Sequence, residues 1–95
     1  MSSVSAAVAA DAAFCPTACF TVVAQPEPAV LPRVVELFAK RGLVPQRCHA
    51  TASMTALSID VQIGGLDREV ADYIARCMRQ IVGVETVLTT ELSGG

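Results

Sequence analysis

The sequence has no tryptophan, one tyrosine and three phenylalanines. Platforms on which nucleic-acid bases could stack are therefore scarce. Its seven Lys and Arg residues are dispersed, and the formal net charge is −2. Holding a nucleic acid needs a row of cations against the phosphates, so that function class is excluded. No stretch approaches the roughly 18 consecutive apolar residues of a membrane span. The first basic residue is Arg33. Met1–Phe14 thus lacks the basic start of a secretory signal and the arginines of a mitochondrial presequence. A cytoplasmic chain with reduced thiols is expected, with no nucleic-acid or membrane partner.

Residues that could carry chemistry are few as well. The chain has one histidine, His49, and four cysteines, Cys15, Cys19, Cys48 and Cys77. Structural zinc sites gather their ligands in close pairs, which these spacings do not provide, so no metal site is expected. A buried cysteine behaves as a small hydrophobe. A nucleophile built from Cys48 or Ser53 with His49 also fails, because Cys48 and His49 adjoin in a strand and point to opposite faces. No Gly-rich phosphate cradle and no carboxylate pair at a defined spacing is present. No catalytic residue is assigned.

What remains is apolar and compact. Ninety-five residues make one domain, which would bury only about 60–65% of its unfolded surface. The composition is 53% hydrophobic with a mean hydropathy of +0.52, high for a small monomer. Part of that apolar surface is expected in an interface.

Residues 1–17 are rich in Ala and Ser and read as a flexible tail closed by Pro16. Ala18–Ala24 alternates as a short strand, with Phe20, Val22 and Ala24 on one face. Pro26, Pro28 and Pro32 stop it, and Pro32 falls in the first turn of a helix, where proline is tolerated. Val30, Val34, Leu37, Phe38 and Arg41 lie at helical spacings, and Gly42 is placed to end the helix. Leu43–Thr51 is expected as a second strand, at a sheet edge because Pro45 cannot donate to a ladder. Thr55–Ile63 alternates clearly, and Gly64-Gly65 ends it. Asp67 can cap a second helix. The stripe of that helix is Val70, Ala71, Ile74, Ala75, Met78 and Ile81, opposite a charged face of Arg68, Asp72, Arg76 and Arg79. Val84–Glu91 is the last strand, and 93–95 is expected to fray. The order β-α-β-β-α-β predicts an α+β, ferredoxin-like fold, a four-stranded antiparallel sheet with two helices on one face.

The run Gln25-Pro26-Glu27-Pro28-Ala29-Val30-Leu31-Pro32-Arg33-Val34, then Leu37-Phe38 and Lys40-Arg41-Gly42, and later Ile59-Asp60-Val61 and Ile81-Val82-Gly83-Val84, resembles the ACT domain. The resemblance spans residues 18–92. It is strongest toward the regulatory small subunits of acetolactate (acetohydroxyacid) synthase, in their short branch with a single ACT domain. It implies pairing of two domains through sheet edges, with Pro45, Gln46, Arg47, Cys48 and His49 as the candidate dimer edge. It also implies effector binding at the first strand-to-helix loop, here Pro26, Glu27, Pro28, Ala29, Val30 and Leu31. The N–H groups and positive dipole end of the helix would receive an effector carboxylate.

Two positions depart from the effector-binding pattern. Such members open the loop with Asp or Asn and place Gly shortly after; aligned on Leu31, these positions are Pro26 and Ala29 here. Pro26 has neither a side-chain acceptor nor an N–H, and Ala29 adds a methyl where approach is closest. The loss of one charge-assisted bond weakens binding about ten- to a hundredfold. The resemblance therefore implies a non-catalytic, activating subunit that responds weakly to valine or another branched-chain amino acid. Its partner would be the acetolactate synthase large subunit, which carries thiamine diphosphate, Mg and FAD, while this chain binds no cofactor. The alternative is a free-standing amino-acid-sensing ACT module that regulates another enzyme. A copper metallochaperone shares the strand and helix order but needs two cysteines in the first loop, and residues 25–32 contain none.

Overall fold

The structure is a computed structural model that describes residues 17–92. Of the tail expected over 1–17, residues 1–16 lie outside the described residues and Thr17 instead begins β1; the fraying expected over 93–95 also lies outside them. In chain order the elements are β1 (Thr17–Ala24), α1 (Val30–Ala39), β2 (Arg47–Ala52), β3 (Leu57–Gly64), α2 (Arg68–Arg79) and β4 (Val84–Leu92). The strands form one antiparallel sheet in the order β2-β3-β1-β4. This is the predicted ferredoxin-like fold. No helix among the described residues is long and apolar enough to cross a membrane.

One face of the central strands is apolar because their side chains alternate. Phe20, Val22 and Ala24 of β1 stand opposite Val61, Ile59 and Leu57 of β3, and all six are buried. The helices close over them with Val30, Val34 and Phe38 from α1 and Ala71, Ile74, Ala75 and Met78 from α2. Phe38 meets Phe20 edge-on, with ring centroids 5.6 Å apart. Burial of this kind contributes about 25 cal/mol per Å² of apolar surface and supplies most of the stability.

Gly42 ends α1 as the spacing predicts. It adopts φ +68°, its N–H reaches the Ala39 carbonyl (3.0 Å), and the Leu43 N–H reaches that of Phe38 (2.9 Å). Leu43 folds back on the core in the same motif. That explains one correction. The second strand begins at Arg47, not Leu43, because the Leu43 amide is committed to the helix end and Pro45 has none to give. β2 also extends to Ala52, and β3 starts at Leu57 rather than Thr55. Residues 53–56 make the turn between them, where the Ser53 hydroxyl accepts from the amides of Thr55 (3.2 Å) and Ala56 (3.1 Å). At the other ends, β1 takes in Thr17, β3 Gly64 and β4 Leu92. Asp67 occupies the position before α2, but its side chain makes no capping bond; its carbonyl accepts the Ala71 N–H instead. Arg41, expected on the apolar stripe, is exposed, with its guanidinium 4.8 Å from the Tyr73 ring centre.

Candidate functional site

The loop after β1 is short and tied down. Three prolines in seven residues restrict its backbone, and its amides turn inward. Glu27 N–H donates to the Gln25 carbonyl (2.7 Å), and Val30 N–H donates to that of Glu27 (3.2 Å). The Gln25 amide reaches across to the Gly83 carbonyl (2.8 Å), which joins the loop to the turn between α2 and β4. Gly83 holds φ +99°, and a methyl there would lie 3.1 Å from Val30 Cγ2 and 3.2 Å from Glu27 Oε1. Glycine suits this turn on two counts: its φ is one that strains an L side chain, and the loop leaves little room for a methyl.

A bulge in β4 completes the arrangement. β1 pairs Val23 with Thr86 but Ala24 with Val84, so Glu85 is an extra residue. Its carboxylate accepts a hydrogen bond from the Gln25 side-chain amide. Two carboxylates, Glu27 and Glu85, thus stand at the mouth of the loop, both exposed.

The predicted effector residues Pro26–Leu31 are contiguous here, but they offer little to an anion. Pro28 and Pro32 have no N–H, the Val30 amide is used within the loop, and the Arg33 amide points to the Ala29 carbonyl (3.4 Å). Among the described residues, the amides of Ala29 and Leu31 are left as donors at this helix end. The Val30 side chain is fully buried, so it cannot touch a ligand. Carboxylates beside the loop add repulsion toward an incoming carboxylate.

The candidate dimer residues lie elsewhere. Arg47, Cys48 and His49 open β2, the edge strand, and pair with Gln62, Val61 and Asp60 of β3. All of β2 is exposed. Pro45 is half-buried, and the Gln46 amide donates to the Gln62 carbonyl (2.8 Å). The Gln46 side chain lies over Gly64. Gly64 pairs with Thr17 at the start of β1, whereas the Pro26–Leu31 loop follows Ala24 at its end. Within one chain, then, the two groups sit at opposite ends of the sheet. His49 Nε2 lies 3.2 Å from Thr51 Oγ1, and the Cys48 side chain belongs to the other face. No cluster of three metal-ligating side chains exists among the described residues.

Sequence reasoning missed Gly83 and Glu85. A glycine between helix and strand signals a turn, but contact with a loop 53 to 58 positions earlier leaves no local mark. The bulge that re-aims Glu85 is equally silent in the sequence.

A family profile describing an ACT-like domain matches residues 10–93. Among solved structures, the ACT domain of GTP pyrophosphokinase from Chlorobium tepidum is similar, with a TM-score of 0.71 and 13% identity over 80% of this chain and 99% of that one. An uncharacterized protein from Thermotoga maritima is similar with a TM-score of 0.67 and 18% identity, over 82% and 98% of the two chains. An ACT domain protein from Streptococcus pneumoniae gives 0.63 and 15%, over 80% and 89%. At these identities the likeness is one of fold. No curated protein matches the sequence.

Proposed function

This chain belongs to the ACT-like domain family, whose modules are regulatory rather than catalytic, and from that premise we propose that it is an activating subunit docked on a larger enzyme. The partner that the sequence resemblance supports is the acetolactate synthase large subunit, with its thiamine diphosphate, Mg and FAD. One observation carries this reading: the β1–α1 loop is closed by its own hydrogen bonds and keeps two free amides next to two carboxylates. A module so poor in anion donors regulates by what it touches rather than by what it captures. Its exposed edge strand β2 offers backbone groups for pairing with a second copy. Coupling between subunits of this kind is typically worth about 1–3 kcal/mol, or about 5- to 150-fold in the coupled equilibrium. The test is the turnover of the large subunit with and without this chain, and with valine added. A several-fold rise that valine barely alters is expected; unchanged turnover together with separate elution sinks the proposal.

The second reading, a free-standing amino-acid sensor, draws on the Ala29 and Leu31 amides that remain open at the start of α1. It requires a branched-chain amino acid to raise the melting temperature at millimolar concentration. A flat response across the twenty amino acids counts against it.

A further inference from the structure

The helices cover one face of the sheet and leave the other open. On the open face stand every second residue of β1 from Thr17 to Val23, of β3 from Ser58 to Gly64 and of β4 from Thr86 to Leu92, four on each strand. Asp60 is the only charged residue among them. Threonine, serine, valine and leucine make up most of the rest, and Leu88 and Leu92 are 59% and 50% exposed opposite Thr21 and Thr17. By contrast, α2 alone carries five charges, Arg68, Glu69, Asp72, Arg76 and Arg79. A solvated sheet face is ordinarily polar, and two exposed leucines on a nearly uncharged face mark an interaction surface.

We propose that this face stacks on the same face of a second copy, as a two-fold pair of sheets. Charge selects a second copy over an unlike partner. β2 adds Arg47, His49 and Thr51 to the face, opposite Gln62, Asp60 and Ser58. Arg47 and Asp60 supply one charge of each sign. Two copies therefore match each other, whereas a partner carrying one sign of charge meets as much repulsion as attraction. Asp60 also keeps a partner when water leaves, because the Thr21 hydroxyl donates to its Oδ1 (3.2 Å). Shape agrees. Small and β-branched side chains let two sheets approach to the roughly 10 Å at which aligned sheets pack. Area sets the strength. At about 4.8 Å between strands and about 3.4 Å per residue, four strands of about eight residues present about 500 Å². Two copies then bury about 1,000 Å², the lower bound for a specific interface, so the contact is weak and concentration-dependent. It is separate from the β2 edge, which would join sheets side by side, and does not depend on which enzyme the chain serves.

Sedimentation equilibrium of the full chain from about 10 μM to 1 mM reads the contact. The average mass should rise with concentration above the 9.9 kDa of one chain. Ser58→Lys lies on the central strand β3, out of reach of edge pairing, and Leu88→Lys replaces an exposed leucine, so the domain still folds. Each should weaken association about ten- to a hundredfold by placing an unmatched charge in the contact. Val82→Lys, at a side chain 75% exposed in the turn before β4, should leave association unchanged. A parent chain that stays monomeric throughout the range overturns the proposal. So does a Ser58→Lys or Leu88→Lys chain that melts like the parent and associates as tightly, or an equal loss in Val82→Lys.

Discussion

Replacing Gly83 by alanine tests the contact that closes the candidate loop. The residue sits at φ +99°, and its added methyl would lie 3.1 Å from Val30 Cγ2 and 3.2 Å from Glu27 Oε1. An L side chain in a left-handed conformation costs about 1–2 kcal/mol. The Glu27 carboxylate is exposed and can swing away, but Val30 is fully buried and cannot. Forcing Val30 off its rotamer adds about 0.5–1.5 kcal/mol. Reduced freedom of the unfolded chain offsets about 0.4–1 kcal/mol. The net loss is about 2 kcal/mol, a fall in melting temperature of about 8–16 °C for a domain of this size. Gly42→Ala supplies the comparison. Gly42 has φ +68°, and a methyl added there would meet nothing within 4 Å, so it carries the backbone cost alone, about 1 kcal/mol. Urea unfolding followed by far-UV circular dichroism measures both. If Gly83→Ala proves no more destabilising than Gly42→Ala, the close packing of turn on loop is refuted.

Other outcomes follow from the same structure. Phe38→Ala, at a site 1% exposed and edge-on to Phe20, should cost about 3–5 kcal/mol and leave the chain close to unfolding at room temperature, as a thermal melt would reveal. Arg79→Ala removes a 2.9 Å bond from the guanidinium to the Val87 carbonyl; a loss of about 1 kcal/mol in urea unfolding is expected, and no change would show that bond to be idle. Ala50→Lys places a charge on the exposed edge strand β2. It should weaken self-association in sedimentation while leaving the monomer's secondary structure intact, and an unchanged dimer would direct attention to the β4 edge instead.

The fold was legible because its signals are local. Phe20, Val22 and Ala24 alternate, Val30, Val34 and Phe38 recur at helical spacing, and Gly42 stands where a left-handed residue must end α1. Boundaries failed where a backbone group had a competing partner. Leu43 looks like a strand residue, yet its amide closes the end of α1, and Thr55 is drawn into the turn organised by Ser53. The candidate loop was only half legible. Prolines and the missing glycine can be read along the chain, so the expectation of a weak effector site at Pro26 and Ala29 rests on local sequence alone. The parts that close it, Gly83 and Glu85, come from the far end of the sequence through the pairing of β1 with β4.

We propose that this chain acts by docking on a catalytic partner. Recovering the tagged full chain from the cells that make it, and identifying what accompanies it in equal amount, tests that claim most directly. A thiamine-diphosphate-dependent acetolactate synthase large subunit is expected at a fixed ratio, its turnover falling when the two are separated and returning when they are mixed. Recovery of the chain alone, or with an enzyme of different chemistry, would contradict it.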